Sequence, residues 1–135
     1  MLIFRHYGND AGTREIEIYK NIAFICMLLY TPPTREPRSL SFFVKDECKT
    51  VFPEIWEKHF KDSFIFMTGD EAFESTCFGS GKPHLRAREF FGDYAAIATR
   101  DLSIWFRDEN GVSPDFIGLH AGLCHDEMLV PLILT

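Results

Sequence analysis

One histidine in this chain sits where an imidazole has room to meet a ligand. In the run Phe116-Ile117-Gly118-Leu119-His120-Ala121-Gly122-Leu123, His120 lies among the small residues Gly118, Ala121 and Gly122. Small neighbours let backbone approach closely and leave the ring unobstructed. The segment continues through Cys124 to Glu127-Met128 and a strand-like Val130-Pro131-Leu132. A loop histidine next to a buried strand is a position from which a metal ion can be held. Taken alone, a single histidine is more often a surface or hydrogen-bonded residue than a ligand.

Three other groupings carry less chemistry. Gly79-Ser80-Gly81-Lys82 has the look of a phosphate-cradling loop, but it lacks the G-x-x-x-x-G-K-[ST] spacing and Pro83 follows the lysine, so it reads as a turn. Cys124 and His125 are neighbours in sequence, which does not by itself build a nucleophile and its base. Asp108-Glu109 reads as a solvated loop.

Composition bounds the rest. The 135 residues are 46% hydrophobic and include 14 Phe, ample core for one domain, 1–135, and too apolar for disorder. A net charge of -6 with no lysine- or arginine-rich run argues against nucleic acid as a partner. It leaves open a small phosphorylated molecule held through a metal, because the ion brings its own positive charge. The four cysteines Cys26, Cys48, Cys77 and Cys124 form no CxxC pair and fit reduced thiols in a cytoplasmic protein. The longest apolar run, Ile22 to Tyr30, falls far short of the ~20 residues of a membrane span, and no secretory signal is visible.

The elements that must position these residues follow from periodicity. Met1 to Phe4 reads as a short strand. Arg14 to Tyr30 reads as a helix buried nearly all round, with Ile18, Ile22, Ile25 and Leu29 on one stripe, and its β-branched residues leave a strand as the weaker alternative. Thr31-Pro32-Pro33-Thr34 breaks it. Leu40 to Val44 is a strand, and Val51, Phe52, Ile55, Trp56 and Phe60 form a helical stripe with Thr50 as N-cap and Pro53 in the first turn. Ser63 to Met67 is a second strand, and Thr68-Gly69-Asp70-Glu71 is a capping box that opens a short helix. Residues 40–76 therefore read as strand-helix-strand-helix. Pro83 starts another helix carrying Leu85, Phe90 and Phe91, with Gly92 as its stop. Tyr94–Thr99 and Leu102–Phe106 read as a hairpin, and Leu129–Leu134 as a final buried strand. The fold class expected is α/β, with α+β as the alternative: a small mixed sheet with flanking helices.

Several segments in order resemble one enzyme family. His120, Gly122, Leu123, Glu127, Met128, Val130, Pro131 and Leu132 match the pattern HGGL-x-x-x-E-M-[LIV]-[VI]-P-L near the end of type I phosphodiesterases/nucleotide pyrophosphatases of the alkaline phosphatase superfamily, with Ala121 in place of the first glycine. Arg35-Glu36-Pro37-Arg38 looks like the family's GEPR segment. Asp70-Glu71-Ala72, Phe78-Gly79, Pro83-His84 and Gly92-Asp93-Tyr94 look like its D-E-A, L-F-G, P-H-P and G-D-Y series. The resemblance spans about residues 35–135.

It implies the carboxyl-terminal part of a metal-dependent hydrolase acting on a phosphorylated small molecule, with His120 as a ligand of zinc or manganese and residues 40–76 as the insertion that caps the active site. His6 and His84 are further candidates for a metal or substrate contact. Arg5-His6-Tyr7-Gly8 stands where the family has D-H-G, which puts His6 at an aspartate ligand's position and alters both ligands of the second ion. The family's nucleophile, an early aspartate and an Asp-x-x-x-His pair precede that segment and have no counterpart here. Two-metal hydrolysis needs both ions, so the chain alone is expected to be inactive. The competing expectation is a non-catalytic interaction module that forms a homo-oligomer, because part of a larger sheet exposes apolar surface and strand edges.

Overall fold

The computed structural model describes residues 2–6, 25–106, 119–129 and 131–133. Its architecture is mixed helix and strand, of the α+β class. The centre is a four-stranded sheet in the order β2-β3-β5-β4: β2 (Thr34–Glu36), β3 (Ser39–Phe42), β5 (Tyr94–Ala98) and β4 (Phe64–Thr68). Between β3 and β4 the chain forms helix α1 (Phe52–Phe60), and after β4 the short helix α2 (Gly69–Glu74). A separate two-stranded ladder joins β1 (Leu2–His6) to β6 (Leu102–Phe106). The last helical turn, α3, is His125–Met128.

The strand-helix-strand-helix reading of residues 40–76 corresponds to β3-α1-β4-α2. The mixed sheet does not appear: every strand pair among the described residues is antiparallel. β3 and β4 do run parallel to each other, as a crossover helix requires, but β5 lies between them and pairs with both. This is a split strand-helix-strand unit.

Burial explains α1. Phe52, Trp56 and Phe60, four residues apart, are buried and Ile55 is half-buried, so one face meets the sheet. Val51, counted into that stripe, is exposed, and it is the N-cap in place of Thr50, with Pro53 in the first turn. Trp56 lies 4.8 Å from Phe42, 4.6 Å from Phe60 and 5.4 Å from Phe66 between ring centroids. Truncating so buried an aromatic side chain costs about 3–5 kcal/mol. Leu40, Val44, Ala96, Leu102 and Ile104 belong to the same core, so residues 40–76 share their interior with β5 and β6.

Four further expectations change. Of the helix read over Arg14–Tyr30, only 25–27 are helical among the described residues; Leu29 bridges to Val44, and Tyr30 N–H donates to Phe43 at 2.8 Å. Ile25 and Leu29 are buried, whereas Met27 and Tyr30 are exposed, so the segment is not buried all round. The β5–β6 hairpin does not form, because β5 is already paired on both edges and β6 turns to β1. The helix from Pro83 shortens to a 3-10 turn at Ala87–Phe90, which leaves Leu85 and Phe90 exposed. Residues 131–133, read as part of a buried strand, are exposed and carry no strand.

Gly92 shows why the chain can turn into β5. Its φ is 63°, and a Cβ there would stand 2.4 Å from the Phe42 carbonyl oxygen. Only glycine tolerates both demands. Asp93 follows, and its carboxylate accepts from Val44 N–H at 2.8 Å and from Lys49 Nζ at 2.9 Å, which ties the end of β3 to the start of β5.

Candidate functional site

Among the described side chains one cation is buried, Arg38. Pro37 and Arg38 form the two-residue connection between antiparallel β2 and β3, with Glu36 opposite Ser39. Their carbonyls accept from Ile104 N–H and Ala98 N–H, both at 2.8 Å, so the turn is stitched to β6 and β5. The Arg38 side chain is then aimed inward and is only 6% exposed.

Its guanidinium is fully engaged. Nε donates to Glu127 Oε1 at 2.6 Å and Nη2 to Glu127 Oε2 at 2.6 Å, a bidentate fork. Nη1 donates to the carbonyls of Arg100 and Leu102, each at 3.0 Å. Nη2 also reaches Cys124 Sγ at 3.0 Å. Burial of the Glu127 carboxyl works to raise its pKa, but the hydrogen bonds and charge of Arg38, helped by Gly122 N–H, outweigh it and hold the group below its ordinary value.

Glu127 also organises the segment that carries the candidate ligand. Its Oε1 accepts from Gly122 N–H at 3.2 Å and its Oε2 from Cys124 N–H at 3.3 Å. Leu123 N–H donates to Ala98 O at 2.7 Å, which fixes the segment to the end of β5. A Cβ on Gly122 would lie 2.4 Å from Glu127 Oε2 and 2.7 Å from Arg38 Nη2, so the absence of a side chain there lets the fork close. Ala121 has φ 75°, the left-handed region that L residues avoid. Glycine would adopt this conformation freely, and alanine occupies it under strain.

His120 stands at the outer end of this turn, with its residue exposed. His84 is exposed as well, and its Nδ1 accepts from Arg86 N–H at 3.2 Å within a local turn. The backbone of His6 pairs with Leu102 at the end of β1, and its side chain lies outside the described residues. Among the described residues no three His, Cys, Asp or Glu side chains gather as a metal site. A zinc ion normally takes three or four protein ligands, and one imidazole does not hold it. The donor set of the described residues therefore does not fit a resident ion by itself.

The other groupings within the described residues do not assemble chemistry. Burial, with the neighbouring Glu127, raises the Cys124 thiol above its ordinary value despite Arg38, so no activated thiolate forms there. Gly79-Ser80-Gly81-Lys82 is an exposed turn with φ 108° at Gly79. Asp108-Glu109 lies outside the described residues. No helix among the described residues is long and apolar enough to cross a membrane.

Sequence reasoning singled out Glu127 only as part of a pattern and Arg38 only as the end of another. It missed that they are partners, because nothing local links residues 89 positions apart. An arginine directly before a buried strand was the available signal. Set against known proteins, the chain matches no family model, no curated protein and no solved structure.

Proposed function

We propose that this chain is the carboxyl-terminal part of a metal-dependent phosphodiesterase or phosphatase, inactive alone, in which His120 supplies one ligand to a divalent ion. The observation that carries the reading is the Arg38–Glu127 fork. The two most distant segments of the resemblance, Arg35–Arg38 and His120–Leu132, meet in one ion pair, and the histidine of the second segment is exposed. The chain's own residues then have a definable task. Arg38, Glu127 and Gly122 fix the backbone two residues from His120, so that its imidazole faces outward toward groups supplied by other residues.

Manganese serves as the probe for this reading, because its paramagnetism broadens NMR signals of nearby nuclei at low occupancy. The His120 imidazole signals should broaden at lower manganese concentration than those of the other four histidines, and the protein with His120→Ala should lose that response. No hydrolysis of a bis-aryl phosphodiester should occur with added zinc or manganese. The reading fails if His120 responds no earlier than His84, or if phosphodiester turnover appears and survives His120→Ala.

A second reading is an interaction module that self-associates. Met128, Leu129, Leu132 and Ile133 are each more than half exposed, an apolar run of a kind that favours association. Light scattering at micromolar concentration separates the two, since a monomer removes this second reading and leaves the first intact.

A further inference from the structure

We infer that residues 119–129 form a strap that detaches from the sheet as a unit, with the Arg38–Glu127 pair as its latch. The inference stands apart from any metal at His120. Two observations support it.

The first is how little apolar packing holds the segment. No described side chain of residues 119–129 belongs to the buried hydrophobic core, whose members in the described residues run from Ile25 to Ile104. Leu119 and Leu123 are half-buried, and Met128 and Leu129 are exposed. Its described ties to the sheet are polar: Leu123 N–H to Ala98 O, and Arg38 to Glu127 and Cys124. Regions with few buried apolar contacts open at lower free energy than the core.

The second is that the strap is internally organised. Glu127 N–H and Met128 N–H donate to Cys124 O, at 3.0 and 3.1 Å, and Leu129 N–H donates to His125 O at 3.1 Å. The Glu127 carboxylate gathers the amides of Gly122 and Cys124. These bonds all lie within residues 122–129, so opening need not break them. Of the described ties that opening breaks, one is the Leu123 N–H bond to Ala98 O and the rest meet at one guanidinium. Arg38 keeps its bonds to the Arg100 and Leu102 carbonyls when the strap leaves, so the latch has a fixed half and a moving half. His120 rides on the moving half.

Amide hydrogen exchange followed by NMR tests this. In the wild-type chain the Leu123 amide should exchange with little urea dependence, while amides inside α1 and β5 should show the steep dependence of global unfolding. Trp56→Phe weakens a core that stays intact when the strap opens. It should speed exchange of the α1 amides by at least about tenfold and leave Leu123 unchanged. Glu127→Gln should speed Leu123 by about two hundredfold or more, as expected for loss of one partner of a largely buried pair. The inference is overturned if Trp56→Phe accelerates Leu123 and α1 by the same factor, or if Glu127→Gln leaves Leu123 unmoved. Should Glu127→Gln fail to fold, the wild-type urea dependence and Trp56→Phe still decide.

Discussion

Replacing Gly122 by alanine adds one methyl group where the latch closes. The new carbon would stand 2.4 Å from Glu127 Oε2, 2.7 Å from Arg38 Nη2 and 2.9 Å from Arg38 Nε, against an ordinary contact of 3.4–4 Å. Arg38 cannot retreat, because two carbonyls hold its other nitrogen and the side chain is buried. Glu127 is nearer to solvent, so the least costly relaxation swings its carboxylate out. That gives up the two charge-assisted hydrogen bonds to Arg38, worth about 1.5–3 kcal/mol each, and the longer bonds from the Gly122 and Cys124 amides. Water recovers part of the loss, and a net cost of about 2–3 kcal/mol is expected, below the ~3–5 kcal/mol for a buried charge left unpaired. The cost cannot exceed the free energy that fastens the strap, since past that point the open form becomes the folded state. Urea denaturation followed by tryptophan fluorescence measures it. With a slope of about 2 kcal/mol per molar, the midpoint should fall by about 1–1.5 M. Gly81→Ala is the control, because a Cβ there meets nothing within 4 Å, and its midpoint should stay within about 0.25 M. On a Glu127→Gln background, Gly122→Ala should add little, as residues in one network are non-additive. A midpoint equal to that of the Gly81→Ala control, or full additivity with Glu127→Gln, refutes the clash as the cause.

Two more outcomes follow from the same turn. Ala121→Gly relieves a left-handed residue whose strain is about 1–2 kcal/mol, partly offset by the greater freedom of glycine when unfolded, so a gain of up to about 1 kcal/mol should appear in the same urea assay. The strap should also be acid-sensitive. Glu127 has a folded pKa below its ordinary value, so its contribution is complete above the ordinary value and is lost as pH falls through the folded one. Arg38 stays charged throughout, and the Cys124 thiol stays neutral in that window. NMR signals of Leu123 and Gly122 should therefore broaden or move in acid before those of α1, and Glu127→Gln should flatten that difference.

How much of this was legible depended on whether the cause was local. The capping box at Thr68–Glu71 was readable, and it forms: Glu71 N–H donates to Thr68 Oγ1 at 3.2 Å and Thr68 N–H to Glu71 Oε2 at 2.8 Å. The stripe of Phe52, Trp56 and Phe60 was readable because its period of 3.6 is set within a few residues. The β5–β6 hairpin failed because adjacency in sequence suggested a partner, while the true neighbours of β5 are strands that come earlier in the chain. Leu129–Leu134 looked buried from composition alone, and composition cannot say whether another layer exists to cover it. The histidine's exposure and the latch beneath it were illegible, since both depend on contacts between residues far apart.

The motif residues that suggested a hydrolase mostly have structural tasks. Arg38 and Glu127 pair, and Asp70 receives Arg88 Nε at 2.6 Å. Glu71 caps α2, Ala72 is buried beneath it, and Phe78 meets Phe91 at 5.0 Å. Gly92 allows a turn that other residues would block, Asp93 ties two strands, and Tyr94 Oη donates to Lys49 O at 2.9 Å. Such tasks hold the fold together, and the chemistry must come from what the fold presents. His84 and His120 are the exceptions with metal-binding chemistry, and His84 Nδ1 is already engaged with Arg86. The functional question for the described residues thus narrows to what His120 faces, and the latch matters because it decides whether that face is held in one place or many. A ligand that needs the strap closed must tighten the latch by the same free energy with which the latch improves its binding. Manganese should then slow exchange at Leu123 in the wild-type chain and have no such effect with His120→Ala, and an unchanged Leu123 rate at saturating manganese would separate the strap from the histidine it carries.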